Sequence, residues 1–274
     1  MAIKTLNDYN IANKKILVRA DLNVPLENGK ISDISRLISA TPTIKTIQSL
    51  GGITILISHF GRPNGSYKEE LSLKQVVPEL EKLLNCPIKF SSELVGKNVI
   101  KKIDNLIGGE ILLLENTRFF AEEEMNDESF SIELSKLGDI FCNDAFSSSH
   151  RAHASTVGVS KLLPNCAGQL MKKEIDTLEN VLKKPQKPLT AVVGGAKIST
   201  KLNLLLNLIK KVDYLIIGGG MANTFLFAKG MQIGKSLCEK NLKETSLRII
   251  SEANENECEI ILPHDVVVAS EFVA

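Results

Sequence analysis

Arg19, Arg62, Arg118 and Arg151 each close an apolar run: Lys15-Ile-Leu-Val-Arg19, Ile53 through Arg62, Ile111 through Arg118, and Ile140 through Arg151. The chain has six arginines against 27 lysines, and Arg36 joins these four in the first 151 residues. Three of the four histidines (His59, His150 and His153) stand beside them. A guanidinium offers a planar fork of donors that matches phosphate and carboxylate, which an ammonium cannot copy. Four such forks at the ends of neighbouring strands would make a site for a small polyanion. Taken singly, each arginine reads as well as a surface ion pair worth about 0–1 kcal/mol. The equivalent position of four of them, each after an apolar run, favours the shared site.

Other candidates stand nearby. Asp21 and Asn23 follow the first run in Arg19-Ala-Asp-Leu-Asn-Val-Pro25 and suit hydroxyl and carboxylate recognition. Turn and cap chemistry is their structural alternative. Arg36 opens a helical pattern, where the helix N-terminus itself attracts anions. Arg19 precedes its turn and reads as a structural ion-pair partner, and Arg248 as a solvated helix residue. His150 and His153 lie three apart, but no carboxylate or cysteine completes a ligand set at metal spacing.

In the second half, glycines follow strands. Val192-Val-Gly-Gly-Ala-Lys-Ile-Ser-Thr-Lys201 carries Gly195, Ala196, Lys197 and Lys201; Leu215-Ile-Ile-Gly-Gly-Gly-Met221 carries Gly218, Gly219 and Gly220. Glycine lets backbone amides approach phosphate oxygens beside a helix N-terminus. Lys197 and Lys201, four apart, are expected on one face of a helix over 198–211, where they could bridge a phosphate. A tight strand-to-helix turn with no ligand is the alternative. Gly230-Met-Gln-Ile-Gly-Lys-Ser236 has three residues, not four, between its glycines, and follows a helix, so it is no Walker A loop.

The elements that must position these residues alternate. Strands are expected at 15–20, 53–58, 87–90, 110–114 and 139–142. Their runs are apolar without alternation, as in a parallel sheet buried on both faces. Helical patterns start near Ser35, where Pro42 should kink or split the helix, and at Ser72, whose Ser-Leu-Lys-Gln resembles a capping box. Another covers 129–137 and meets Gly138 as a stop. An amphipathic helix over 170–184 carries Leu170, Ile175, Leu178, Val181 and Leu182 on one stripe. After Lys183-Lys-Pro-Gln-Lys-Pro188 a second series follows: strands 190–193, 213–217, 258–262 and 266–269, with helices 198–211, 221–229 and 242–254. The second sheet reads as incomplete, and the chain as cut short at Ala274.

Composition sets limits. A chain of 274 residues suits two domains. A net charge of +1 excludes a general nucleic-acid or membrane surface. No apolar run is long enough to span a bilayer, and the first residues lack a signal-peptide core. Five cysteines, with no Cys-x-x-Cys, read as reduced core thiols of a cytoplasmic protein. No tryptophan and three tyrosines argue against a stacking platform for single strands.

Seven stretches together resemble the phosphoglycerate kinase family: Arg19-Ala-Asp-Leu-Asn-Val-Pro-Leu, Ser58-His-Phe-Gly-Arg-Pro, Leu114-Glu-Asn-Thr-Arg-Phe, Asn143-Asp-Ala-Phe, His150-Arg-Ala-His, Gly194-Gly-Ala-Lys and Gly218-Gly-Gly-Met-Ala. They run in order along nearly the whole chain. One departure is Ser147-Ser148-Ser149, where the family usually has Gly-Thr-Ala.

The resemblance implies two Rossmann-like three-layer α/β/α lobes with parallel sheets, joined by a hinge helix, the second lobe incomplete. Residues 1–169 are then the lobe for 3-phosphoglycerate or 1,3-bisphosphoglycerate, 170–188 the hinge helix and linker, and 189–274 part of the lobe for ATP or ADP with Mg2+. Asp21, Asn23, Arg36, His59, Arg62, Arg118 and Arg151 carry over as the acid site. Arg36 and Lys197 carry over as catalytic, and Gly195, Ala196, Lys197, Lys201 and Gly218–Gly220 as nucleotide-binding. They imply phosphoryl transfer between 1,3-bisphosphoglycerate and ADP by a cytoplasmic monomer, the two catalytic cations meeting when the lobes close. The family continues well beyond Ala274, so the magnesium ligand is expected there and nucleotide binding is expected to be weak. The alternatives are a non-catalytic binder of phosphate or small anions and a nicotinamide-dependent dehydrogenase, which would need a dinucleotide fingerprint the chain lacks.

Overall fold

The computed structural model describes residues 3–183 and 185–269. Its chain divides into two compact units, Met1–Thr177 and Leu178–Ala274. In chain order the first contains β1 (Lys15–Arg19), β2 (Leu26–Glu27), β3 (Lys30–Ile31), α1 (Ser35–Ser49), β4 (Ile53–Ile57), α2 (Val77–Leu84) and β5 (Lys89–Ser91). Then come α3 (Lys97–Asp104), β6 (Ile111–Leu114), α4 (Ala121–Met125), α5 (Glu128–Ser135), β7 (Ile140–Asn143) and β8 (Asn165–Ala167). α6 (Gln169–Lys183) crosses the division.

Six of these strands form one parallel sheet in the order β5-β6-β4-β1-β7-β8, while β2 and β3 pair separately as a short antiparallel ladder. The apolar runs explain the sheet. Successive strand side chains point to opposite faces. Ile16, Val18, Leu56, Leu113 and Cys142 pack into one core. Leu17, Ile55, Ile57, Leu112, Leu114 and Phe141 pack into a second core. Each fully buried aliphatic side chain contributes about 1.5–3 kcal/mol. Both faces are covered, so the strands need no polar alternation.

Register places the functional ends. Arg19 of β1 sits opposite Ile57 of β4 and Asn143 of β7, and Leu56 of β4 opposite Leu113 of β6. The carboxyl ends of β6, β4, β1 and β7 are therefore consecutive, and at about 4.8 Å per strand they span roughly 14 Å. The four arginine-terminated runs do lie side by side.

The second unit contains β9 (Thr190–Gly194), α7 (Leu202–Leu208), β10 (Tyr214–Gly218), α8 (Gly219–Ala228), α9 (Lys243–Glu255) and β11 (Glu259–Ile261). Its strands pair in parallel in the order β11-β10-β9. Leu205, Ile209, Leu215, Ile217, Met221, Phe225 and Ile249 form its core.

Several local expectations are corrected. Pro42 does not split α1, which runs unbroken from Ser35 to Ser49. Proline cannot donate to the carbonyl four residues earlier; that oxygen, of Ile38, instead accepts the Thr41 hydroxyl at 2.8 Å. Ser72 accepts from Lys74 N at 3.2 Å but caps a 3-10 turn, and Gln75 donates to the Ser72 carbonyl at 2.8 Å, so the capping box is not closed. Gly138 is not a left-handed stop; a Cβ there would lie 2.9 Å from Leu17 Cβ, so it is needed for close approach to β1.

The helix expected over 198–211 shrinks to α7, beginning at Leu202. Ser199 is drawn away by Glu239, to which its N and Oγ donate at 3.0 and 2.6 Å. No strand forms at 266–269 among the described residues, where Val266, Val267 and Val268 are exposed. Leu178, Val181 and Leu182 of the α6 stripe are also exposed, and only Met171 of that helix is buried.

Candidate active site

The residues after β1, β4, β6 and β7 converge on a cavity of about 230 Å³. It is lined by Asp21, Asn23, Arg36, His59, Arg62, Arg118 and Arg151, together with Gly61, Ser147 and Ser148. All seven acid-site residues expected from the sequence are thus brought together. Four guanidinium charges against one carboxylate leave a formal charge of +3 on the lining (4 − 1).

Hydrogen bonds hold the lining in place. Arg36 Nη1 lies 3.1 and 3.0 Å from Asp21 Oδ1 and Oδ2, and 3.0 Å from the Asn23 carbonyl. Ser147 Oγ donates to Asp21 Oδ2 at 2.6 Å. Asn23 Oδ1 accepts from Gly61 N at 2.8 Å, and the Gly61 carbonyl accepts from Arg118 Nη1 at 3.0 Å. Gly61 can join both because its φ of +60° suits glycine and a Cβ there would lie 2.7 Å from Leu71 Cδ2. Arg118 Nε lies 3.0 Å from Glu124 Oε1, an ion pair whose angle makes no hydrogen bond.

His59 is buried, with Nδ1 3.0 Å from Arg19 Nη2. Burial, and then the charges of Arg19, Arg118, Arg151 and Arg36, push its pKa down to about 2. The imidazole is neutral at any working pH. Arg19 itself is 1% exposed and does not line the cavity. The expectation of an ion-pair partner is corrected here: its direct partners are Ser155 Oγ, the Ala20 carbonyl and His59. His150 accepts from Arg151 Nε at 3.2 Å. Arg248 is solvated, 3.4 Å from Glu252.

Sequence reading missed Gly61, Ser147 and Ser148. The Gly61 signal lay inside the quoted Ser58-His-Phe-Gly-Arg-Pro stretch. Ser147 lay in the stretch that departs from the resemblance, and nothing local announces its reach to Asp21.

In the second unit the two glycine turns pack on one another at the carboxyl ends of β9 and β10. Met221 N donates to the Gly195 carbonyl at 2.9 Å. Gly219 has a φ of +66°, and a Cβ on it would lie 2.9 Å from that same oxygen. A Cβ on Gly220 would lie 2.9 Å from the Ala196 carbonyl. Lys201 lies over this turn, its Cε 3.4 Å from the Cβ position of Gly195. Gly218, Gly219, Gly220, Gly195, Ala196 and Lys201 are therefore brought together. Lys197 and Lys201 do not share a helix face: Lys201 is the N-cap of α7, and Lys197 lies in the turn before it, its carbonyl accepting from Thr200 Oγ1 at 3.0 Å.

No group of three or more His, Cys, Asp or Glu side chains among the described residues could hold a metal. No helix among them is long and apolar enough to cross a membrane. All five cysteines are free thiols.

A parallel sheet with a cationic crevice outside the carboxyl ends of its strands, as in the first unit, defines an α/β protein of a class suited to small anionic ligands. A family model described as phosphoglycerate kinase matches residues 6–274. A phosphoglycerate kinase of Ruegeria pomeroyi is 52% identical over 272 residues, covering 99% of this chain and 68% of the relative. One of Bradyrhizobium diazoefficiens is 53% identical over 271 residues, with the same coverage. The solved phosphoglycerate kinase of Coxiella burnetii superposes with a TM-score of 0.81 at 40% identity, covering 99% of this chain and 68% of that one. The chain belongs to the phosphoglycerate kinase family. Its function is that of the family, a phosphotransferase activity.

Proposed function

We propose that the crevice of the first unit binds 3-phosphoglycerate, or the same end of 1,3-bisphosphoglycerate, and that the glycine turns of the second unit bind ATP or ADP. The observation that carries the first part is the convergence of Arg62, Arg118 and Arg151 with neutral His59 on one cavity. These donors match a phosphate dianion and carry more positive charge than Asp21 cancels. Asp21 accepts hydrogen bonds and suits the substrate hydroxyl.

Phosphoryl transfer needs positioning and charge neutralisation more than covalent help. Arg36 and Lys197 are the cations proposed for it. Arg36 is half-exposed and held by Asp21 and the Asn23 carbonyl, so it is preorganised yet solvent-accessible. Lys201 is proposed as a ligand of the nucleotide phosphates, with the backbone amides around Gly195 and Gly218–Gly220. Residues 1–169, 170–188 and 189–274 are proposed as acid lobe, hinge and nucleotide lobe, working as a monomer in the cytoplasm.

No group of three or more His, Cys, Asp or Glu among the described residues could hold Mg2+ by itself, so it is proposed to arrive with the nucleotide. It is usually held by one or two carboxylates, waters and substrate phosphates, not by a full protein cage. It would neutralise phosphate charge there, and Lys201 would add a further point charge.

The test is a coupled assay of 1,3-bisphosphoglycerate formation from 3-phosphoglycerate and Mg-ATP, with wild type and Arg118→Met/Arg151→Met. The double variant should raise the KM for 3-phosphoglycerate by at least tenfold and leave that for ATP within a factor of two. Equal effects on both would separate the crevice from the acid.

A further inference from the structure

Beneath the crevice a buried polar chain leads from Glu123 to His59. Glu123 and Ser155 are both 0% exposed and Arg19 is 1% exposed. Ser155 N and Oγ donate to Glu123 Oε2 and Oε1 at 2.9 and 2.5 Å. Arg19 Nε donates to Ser155 Oγ at 2.9 Å, and Arg19 Nη2 reaches His59 Nδ1 at 3.0 Å. Ser155 sits in a π-helical turn, Ala154–Gly158, closed by Gly158 N on the His153 carbonyl at 3.2 Å. Such turns are rare and concentrate at functional sites.

The chemistry of this chain fixes a proton. A guanidinium has five donors and no acceptor. Nδ1 of His59 must therefore accept, and a neutral ring then carries its single proton on Nε2. Protonation at Nδ1 would set two donors 3.0 Å apart. Glu123 supplies a buried negative charge that reaches Arg19 through one hydroxyl and offsets the Arg19 charge beneath the crevice.

We propose that Glu123 and Ser155 are positioning residues for the anion site: through Arg19 they hold His59 as a neutral imidazole with its proton on Nε2, a hydrogen-bond donor of fixed direction for the substrate. This rests on the reading of the crevice as the acid site. A purely structural role, tying α4 to the π-helical turn, would not dictate the His59 tautomer.

The experiment is nitrogen-edited NMR of the histidine rings in the 274-residue chain, His59 being assigned by its loss in His59→Gln. Calorimetric titration with 3-phosphoglycerate accompanies it. Wild type should show an unprotonated Nδ1 and a protonated Nε2, unchanged from pH 5 to 8. Ser155→Ala should give mixed tautomers and weaken 3-phosphoglycerate by about tenfold or more, as expected for a lost charge-assisted hydrogen bond. Ser155→Thr, which keeps the hydroxyl, should restore both. Glu123→Gln leaves one acceptor oxygen for the two Ser155 donors and removes the charge behind Arg19, and should also mix the tautomers.

A wild-type ring protonated at Nδ1, or titrating near pH 6.5, overturns the proposal. So does a folded Ser155→Ala protein with the wild-type tautomer and affinity. Where Ser155→Ala does not fold, the wild-type and Glu123→Gln tautomers decide, and a folded Glu123→Gln protein with the wild-type tautomer overturns the proposal. Failure of wild type to bind 3-phosphoglycerate would overturn the acid-site reading instead, since the tautomer is measured without ligand.

Discussion

Arg36 Nη1 stands 3.1 and 3.0 Å from the two carboxylate oxygens of Asp21, and the same nitrogen donates to the Asn23 carbonyl at 3.0 Å. One nitrogen makes all these contacts, so the rest of the guanidinium fork is available for a ligand. Asp21 does not depend on Arg36 alone, because Ser147 Oγ donates to it at 2.6 Å. Arg36 can turn towards a substrate while the carboxylate keeps a donor.

Arg36→Ala should therefore lower turnover by ~10³-fold or more, taking it as an arginine clamp on the transferring phosphoryl. Affinity for 3-phosphoglycerate should fall far less. Steady-state kinetics with calorimetry on the same preparation separates the two. Arg36→Lys should not restore turnover, because an ammonium cannot reproduce the fork.

Lys201→Met should weaken Mg-ATP and leave 3-phosphoglycerate affinity within a factor of two. The lysine lies over the Gly195 turn, in the second unit, and the acid crevice lies in the first. Parallel titrations with the two ligands check this. Loss of acid binding by a folded Lys201→Met protein would contradict the division of labour.

Asp144 gives a pH prediction. It is 1% exposed; its Oδ1 accepts from Met171 N at 3.1 Å at the start of α6, and its Oδ2 has no partner among the described residues. Burial raises its pKa from 3.8 to about 6, against the lowering by Thr43 and the backbone of Met171 and Leu170. The folded state then holds a proton that the unfolded state releases. This group's contribution falls as pH rises from about 4 to about 6, by roughly 3 kcal/mol in all. Denaturant melts at pH 4, 5, 6 and 7 should show that fall in wild type relative to Asp144→Asn. Parallel curves for the two proteins would exclude it.

The continuous α1 gives a coupling prediction. Thr41→Val leaves the Ile38 carbonyl without its hydroxyl donor and should cost about 1 kcal/mol. In a Pro42→Ala background residue 42 regains an N–H for that carbonyl, and the cost should largely vanish. A double-mutant cycle measured by urea denaturation reads the difference directly.

The first sheet and its crevice were legible because the signals are local. β1, β4, β6 and β7 are each one apolar run, and an arginine or histidine ends or follows each within eight residues, whereas β8, Asn165–Ala167, has no such signal and was not expected. What was not legible depends on partners far along the chain. Ser199 is held by Glu239, 40 residues away, and this delays α7 and separates Lys197 from Lys201. Thr41 rescues the carbonyl that Pro42 abandons, which no breaker rule anticipates. Ser147, Glu123 and Ser155 are ordinary polar residues in sequence. Their roles exist only once β1, β4 and β7 bring them against Asp21 and Arg19.

The most direct measurement is calorimetric titration of 3-phosphoglycerate into the wild-type chain and into Arg118→Met, each shown to be folded by its thermal melt. One acid per chain for wild type, with at least a tenfold loss in Arg118→Met, is the predicted result. Folded wild type that does not bind the acid, or Arg118→Met that binds it as well as wild type does, would contradict the crevice as the acid site.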